Sequence, residues 1–128
     1  MSEINNPLAW VERADEDLAI TRSALRRKKP LICPACFHAQ QCAEKYLKAV
    51  LIARNAAFPK THDLLMLATL CDEVGVFIPV EAKALNTLND YSIQVRYPGG
   101  NPTLEDAQDA LKIAKSVRHF VRKLMGMK

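Results

Sequence analysis

The sequence predicts an all-α fold, an antiparallel up-and-down bundle of about five helices that forms one domain over residues 1–128. Glycine is scarce, at four residues, and alanine and leucine are plentiful, which favours helices over sheets. Apolar side chains recur at steps of three and four residues in five segments, and no segment alternates as a strand does. Proline and glycine mark short connections between these segments, so consecutive helices should run antiparallel.

Composition places the chain among soluble globular proteins, since 49% of its residues are hydrophobic and 25% are charged. The formal charge of +4 permits a weak preference for anionic partners. No stretch reaches the ~18 apolar residues of a membrane span, and the N-terminus lacks the basic flank and apolar run of a secretion signal. We therefore expect a cytoplasmic protein without a membrane segment, whose four cysteines are reduced thiols.

The first helix is expected to begin at Asn6, as the N-cap, with Pro7 at the first helical position. Acidic residues near its start and basic residues near its end complement the helix macrodipole. The basic end is interpreted as a solvated terminus, with nucleic-acid contact as the less favoured alternative. The pair Lys29-Pro30 should end the helix. Its apolar side comprises Val11, Ala14, Leu18, Thr21 and Leu25.

The second helix, from Pro34 to about Arg54, is expected to organise the fold. Its buried side comprises Cys36, Ala39, Ala43, Leu47 and Val50. Its opposite side carries His38, Gln41, Lys45 and Lys48. These polar residues could bind a nucleotide phosphate, but we favour a solvated face, with Glu44 and Lys48 as an (i, i+4) pair, or a dimer interface.

The third helix is expected to begin within the segment Thr61-His62-Asp63-Leu64, with Thr61 as the N-cap and Asp63 in the first turn. Gly75 should end this helix or lie just past its end. Its buried side comprises Leu64, Leu67, Ala68 and Cys71.

The fourth helix should start at Pro79 and continue to about Val95, with Val80, Ala84, Leu85 and Leu88 facing inward. Residues 98–102 must form a turn or loop because they combine two prolines with two glycines. The last helix then begins at Thr103, which forms a capping box with Asp106 in place of the usual Glu. Its apolar side comprises Ala107, Ala110, Leu111, Ala114, Val117, Val121 and Leu124, and its polar face carries Lys112, Lys115, Arg118 and Arg122.

The pair His62-Asp63 is the first candidate site. At a helix start, His62 could contact an anion alongside free backbone amides, while Asp63 caps the helix or orients the imidazole. The alternative, which we favour slightly, is a structural motif that holds the loop onto the bundle. We expect the bundle to bring the helix starts that carry His38 and His62 within range of a bend at Arg96-Tyr97.

Arg96 and Tyr97 are the second candidate site. Arg can bind phosphate with a fork of donors, Tyr can stack on a base, and the glycine pair after Pro98 allows close approach of the backbone to a ligand. The alternative pairs Arg96 with Asp90 or Glu44 and packs Tyr97 on the core. The sequence leaves these two interpretations open.

The segment Cys33-Pro34-Ala35-Cys36 has the spacing of a metal or redox motif. Cys42, His38 or His62 could complete a zinc site. The sequence has no second CxxC, no paired-His spacing and no βαβ context, so we expect no metal, no cofactor and incidental thiols.

Three segments, taken in their order along the chain, carry a family resemblance. They are Phe37-His38-Ala39-Gln40-Gln41-Cys42-Ala43-Glu44-Lys45-Tyr46-Leu47-Lys48-Ala49, Thr61-His62-Asp63-Leu64, and Tyr91-Ser92-Ile93-Gln94-Val95-Arg96-Tyr97-Pro98. Together they resemble the HEPN domain family. The resemblance covers nearly the whole chain. It implies a helical bundle that commonly forms a homodimer, and a small stand-alone protein of the kind encoded beside a minimal nucleotidyltransferase as a toxin–antitoxin pair.

Some HEPN proteins are metal-independent ribonucleases with an Arg, four to six intervening residues and a His. That motif is not present here: no His follows Arg96 at that spacing, and Arg118 is adjacent to His119. The resemblance therefore implies one component of a two-protein system with a nucleotidyltransferase partner and nucleotide or RNA as ligand. The alternatives are a ribonuclease toxin that uses His62 and Arg96 across a dimer, and a non-catalytic dimerisation module.

Overall fold

The structure, a computed structural model, describes residues 3–92 and 98–128. These residues form a short 3-10 turn at Glu3–Asn5, five helices and no strand, so the predicted all-α bundle is confirmed. The helices are α1 (Pro7–Arg26), α2 (Ile32–Ala53), α3 (Leu64–Glu73), α4 (Ala82–Asp90) and α5 (Leu104–Leu124). No helix among the described residues has the length and apolarity to cross a membrane.

The central helix is α2, which packs against each of the other four helices. No residue of α2 between Ala35 and Leu51 is exposed. The fully buried alanines on α2, Ala35, Ala39, Ala43 and Ala49, leave room for α1 and α5 to approach closely. Enclosure on all sides also buries polar side chains of α2, namely Gln40, Glu44 and Lys48.

Local signals set several helix ends as predicted. Asn6 is the N-cap of α1, and its Oδ1 accepts a hydrogen bond of 3.0 Å from the Leu8 amide. Thr103 and Asp106 form the predicted capping box of α5, with bonds of 3.1 and 2.9 Å. Gly75 follows the end of α3 with a φ of +84°, a conformation that glycine adopts without strain.

Other boundaries differ from the prediction. Helix α1 ends at Arg26, before Lys29, because the chain folds back and the Leu31 amide donates to the Ala24 carbonyl at 3.0 Å. Helix α2 begins at Ile32, two residues before the predicted start at Pro34. A proline is tolerated in the first turn of a helix, because the amide it lacks would have no partner within the helix there.

Helices α3 and α4 also start later than predicted. The N-cap of α3 is Asp63, and Thr61 instead accepts a hydrogen bond from the Asp63 amide. Helix α4 starts at Ala82, because Val80 donates back to Ile78 and Glu81 is extended. It ends at Asp90 with Tyr91 as its C-cap, short of the predicted Val95.

Most residues predicted to face inward are buried or half-buried. Leu124 is the exception, since it is exposed in the last turn of α5. The core joins apolar side chains from all five helices, including Leu18, Leu47, Leu64, Leu85 and Val117.

Candidate functional site

A buried carboxylate, Glu44, anchors a polar cluster between α2 and the connection that leads to α3. Its Oε2 accepts a hydrogen bond from Lys48 Nζ at 3.1 Å, and its Oε1 lies 2.8 Å from His62 Nδ1. The Gln40 amide donates to Glu44 Oε1 at 3.3 Å and to the His62 carbonyl at 3.0 Å. A buried carboxylate is costly unless it is paired, so this network ties His62 and its loop to α2.

A surface cavity of ≈ 600 Å³ lies beside this network. We call it the α2–α3 cleft; its lining comprises Ile4, Asn5, Trp10, Lys48, Ile52 and residues 56–62. Trp10 and Phe58 meet edge to face there, with ring centroids 6.4 Å apart. The Lys48 ammonium lies 5.7 Å from the Trp10 centroid and 5.8 Å from that of Phe58. The cleft therefore combines aromatic surface with positive charge.

Two further basic side chains, Lys60 and His62, line the α2–α3 cleft. Lys60 is exposed, and the side chain of His62 is 69% exposed even though its Nδ1 is bonded to Glu44. The Lys48 charge is already balanced by Glu44. Lys60 and His62 are therefore the groups in this lining that can reach an anion from solvent.

Asp63 caps α3. Its Oδ1 accepts from the amides of Leu65 at 2.9 Å and Met66 at 3.4 Å, and from Asn89 Nδ2 at 2.9 Å. The Leu64 amide donates to Asn89 Oδ1 at 2.8 Å. The first amides of α3 thus bond to side-chain oxygens, and the carboxylate that orients the His62 imidazole is Glu44.

The polar stripe predicted on α2 divides between separate clusters. His38 Nδ1 lies 2.7 Å from Asp17 Oδ1 on α1, and Lys45 Nζ donates to Asp17 Oδ2 at 2.5 Å. Gln41 donates to Gln40 at 2.7 Å. The expected solvated face is wrong, because α1 and the α2–α3 connection cover α2: Lys48 is buried and the other three are half-buried. His38 and His62 consequently bond to different carboxylates.

A third cluster forms around Asp15 of α1. The Tyr46 hydroxyl donates to Asp15, and so do Arg118 Nε and Arg122 Nη1 of α5, each at 3.1 Å. Burial and the hydrogen bond to Asp15 raise the pKa of the Tyr46 hydroxyl above its ordinary value. This cluster ties α1, α2 and α5 together and uses two cations of the predicted polar face of α5.

Arg96 and Tyr97 lie outside the described residues, as does any pairing of Arg96 with His62, Asp90 or Glu44. The glycines that follow, Gly99 and Gly100, have φ values of +94° and +62°.

The cysteines have the properties of structural thiols. Cys36, Cys42 and Cys71 are buried, and Cys33 is half-buried. Burial raises the pKa of Cys36 and of Cys71 to about 12 in each case, which disfavours the thiolate that metals bind. Within residues 3–92 and 98–128, no three His, Cys, Asp or Glu side chains are grouped to hold a metal ion.

The predicted (i, i+4) pair of Glu44 and Lys48 is confirmed. Sequence reasoning missed the contact of Glu44 with His62 and the roles of Asp17, Gln40, Trp10 and Phe58. One signal was available: Gln40, Glu44 and Lys48 recur at four-residue steps, which aligns them along one side of α2. Asp17 lies beside the buried side of α1, three residues after Ala14. The approach of Trp10 to Phe58 depends on how the α2–α3 connection folds, and no local pattern encodes it.

The fold and the clusters define a five-helix protein whose central helix presents an ionic network to an aromatic cleft. The model of the HEPN domain family matches residues 8–124. The chain therefore belongs to the HEPN domain family, as the three sequence segments indicated.

Two known proteins are similar along almost the whole chain. A protein of Methanocaldococcus jannaschii named "Putative toxin MJ1304" is 28% identical to this chain over an alignment that covers 93% of this chain and 90% of that protein. A crystal structure of ST0689, described as an archaeal HEPN homologue, matches with a TM-score of 0.67. It covers 94% of this chain and 98% of that chain at 23% identity, so this likeness concerns the fold.

Proposed function

We propose that this HEPN protein is the toxin-like member of a two-protein pair, and that it binds a nucleotide or the end of an RNA strand in the α2–α3 cleft. The observation that carries the binding proposal is the lining of that cleft, where two aromatic rings and three basic side chains lie together. Its volume of ≈ 600 Å³ falls in the range that suits small-molecule ligands.

The aromatic and the basic residues of the cleft would contact different parts of the ligand. Trp10 and Phe58 offer ring surface for stacking on a base, an interaction worth ~1–3 kcal/mol per base. Lys60 and His62 are exposed and would pair with phosphate oxygens. Glu44 holds the His62 Nδ1, which leaves Nε2 directed to the ligand as a donor when the imidazole is protonated.

Calorimetric titration of the full chain with ATP tests this binding. Phe58→Leu should weaken ATP binding about fivefold or more, since it removes a stacking ring and keeps an apolar side chain. Lys60→Gln should weaken it too, whereas Lys28→Gln, an exposed lysine outside the cleft, should leave the affinity unchanged. Equal affinities for all these variants, or no binding by the wild type, would refute the proposal.

The partner we propose is a minimal nucleotidyltransferase. The support is the family membership together with a relative over nearly the full chain whose name calls it a toxin. Induced expression of the chain alone should arrest growth of a bacterial host, and co-expression with the nucleotidyltransferase that we propose as its partner should restore growth. Purification from the native host, followed by mass analysis, should recover the two proteins together; unimpeded growth and recovery of the chain alone would contradict the pairing.

We also propose a homodimer, which is common among HEPN proteins. Light scattering during size-exclusion chromatography should then give twice the 14.3 kDa of one chain. A mass of one chain at micromolar concentration would exclude a stable dimer.

A second candidate function is a ribonuclease that uses His62, and the Glu44–His62 contact favours it. A carboxylate on Nδ1 fixes the tautomer and orientation of an imidazole, so that Nε2 can accept a proton from a 2′-hydroxyl. The proposed phosphate partner is Arg96. His62→Ala should abolish cleavage of a labelled RNA, while Asp63→Asn, which retains a capping side chain, should not; an inactive wild type would remove this candidate.

A further inference from the structure

The outer side of α5 carries a groove that the function proposed above does not use. Its volume is ≈ 740 Å³, and its basic lining residues are Lys112, Lys115, His119 and Lys123. Pro79, Leu111 and Phe120 supply its apolar surface, and no acidic side chain of residues 3–92 and 98–128 lines it. We call it the α5 groove; it shares no lining residue with the α2–α3 cleft.

The basic side chains of the α5 groove are available to a ligand. All four basic side chains are exposed, and none of them forms an ion pair with the described residues. Arg118 and Arg122, on the same helix, provide the contrast because both form ion pairs with the Asp15 carboxylate. The basic residues of α5 therefore form two sets. Arg118 and Arg122 pair with Asp15 and stabilise the bundle, whereas the external row at 112, 115, 119 and 123 has no counter-charge among the described residues.

The external row follows the helix axis. Residues 112, 115, 119 and 123 are spaced by three or four positions, so one basic side chain stands on each successive turn. At a rise of 1.5 Å per residue, the row extends over roughly 16 Å. Phe120, which is half-buried, lies in the same groove and presents an aromatic ring beside the row.

We infer that the α5 groove binds single-stranded RNA. Three of its four basic residues are lysines, which are depleted at protein–protein interfaces but neutralise phosphates with release of counterions. A basic groove that tracks the backbone, with an aromatic ring for stacking, is the arrangement that binds single strands. Gln108 and Ser116 in the lining can hydrogen-bond to a 2′-hydroxyl, which distinguishes RNA from DNA.

Fluorescence anisotropy of the full chain with a labelled oligouridine strand tests this inference. The triple variant K112Q/K115Q/K123Q should bind at least about tenfold more weakly at low salt. The slope of log K against log salt should become shallower by about 2, since each phosphate contact to a single strand contributes ~0.7. The matched control K28Q/K83Q/K128Q removes three exposed lysines outside the groove and should retain the wild-type affinity and slope.

One further variant and two further ligands test whether the groove binds RNA specifically. Phe120→Leu should weaken binding without changing the salt slope, because it removes stacking and no charge. The deoxyuridine strand should bind about fivefold more weakly, as the loss of one hydrogen bond predicts. The inference fails if the triple variant binds RNA as tightly as its control does, or if DNA binds as tightly as RNA. It also fails if poly-glutamate displaces the RNA at an equal concentration of negative charges, which would point to an acidic protein partner. Circular dichroism should confirm that each variant remains folded.

Discussion

Glu44 Oε1 lies 2.8 Å from His62 Nδ1 and joins the centre of the bundle to its surface. The Glu44 side chain is 4% exposed, whereas that of His62 is 69% exposed. Lys48 holds the other carboxylate oxygen of Glu44 and lies against the rings of Trp10 and Phe58. One buried carboxylate therefore positions both the imidazole and the ammonium that line the α2–α3 cleft.

Replacing Glu44 should destabilise the fold strongly. Glu44→Gln leaves the Lys48 ammonium buried without its counter-charge, and breaking a buried ion pair from one side costs ~3–5 kcal/mol. Urea unfolding measures this loss. Glu16→Gln, at an exposed position of α1, should change the free energy of unfolding by less than about 0.5 kcal/mol. If the two variants were equally stable, the Glu44 network would not hold the bundle together.

The capping role of Asp63 predicts a smaller effect. Asp63→Ala removes the acceptor for the Leu65 and Met66 amides and should lower stability by ~0.5–2 kcal/mol. Glu81→Ala is a matched control, since Glu81 is the N-cap of α4 but makes no side-chain capping bond. Thermal unfolding should show a clear loss for the first variant and little change for the second. A larger loss of stability for Glu81→Ala than for Asp63→Ala would contradict the capping role of Asp63.

Burial predicts how the four thiols react. The pKa of Cys36 and that of Cys71 are each raised to about 12, so these groups remain protonated at pH 8, whereas Cys33 is only half-buried. A thiol-specific chromogenic reagent should therefore react quickly with one thiol in the native protein and with four in urea. Cys33→Ser should abolish the fast phase. Four fast thiols in the native state would contradict the burial of the others.

The same shifts predict a loss of stability at alkaline pH. Burial raises the pKa of the Cys71 thiol from its ordinary value of 9.0 to about 12, so between these values the unfolded chain loses a proton that the folded chain retains. The unfolded state then binds fewer protons, and the free energy of unfolding falls as the pH rises. Urea titrations from pH 8 to pH 11 should show a shallower fall for Cys71→Ala than for the wild type. Parallel pH dependences of the two free energies of unfolding would contradict the raised pKa of Cys71.

Local signals account for the parts of the fold that the sequence predicted well. Asn6, Gly75 and Thr103 each act within a few residues of their own helix end, so their roles follow from sequence spacing. The start of α4 was harder to predict from the sequence, because the chain forms a turn at Val80 before the helix begins. A proline alone indicates where a helix can begin and does not exclude a turn first.

The candidate site was less predictable, because it depends on contacts between distant segments. Periodicity separated the polar residues of α2 from the apolar ones, yet enclosure of α2 by its neighbours buries Lys48 as well. The partner of His62 is 18 residues away on α2, and the ring partner of Trp10 lies in the α2–α3 connection. Spacing within one helix carries no information about such pairs.

The fluorescence of Trp10, the sole tryptophan of the chain, gives the most direct test of the α2–α3 cleft as a nucleotide site. Titration of the wild type with ATP should change the Trp10 emission in a saturable way, with the midpoint found by calorimetry. Phe58→Leu should shift that midpoint to higher ATP concentration, and Lys28→Gln should not. If calorimetry detects ATP binding but the Trp10 emission stays constant, or if no ATP binds, the cleft is not the nucleotide site.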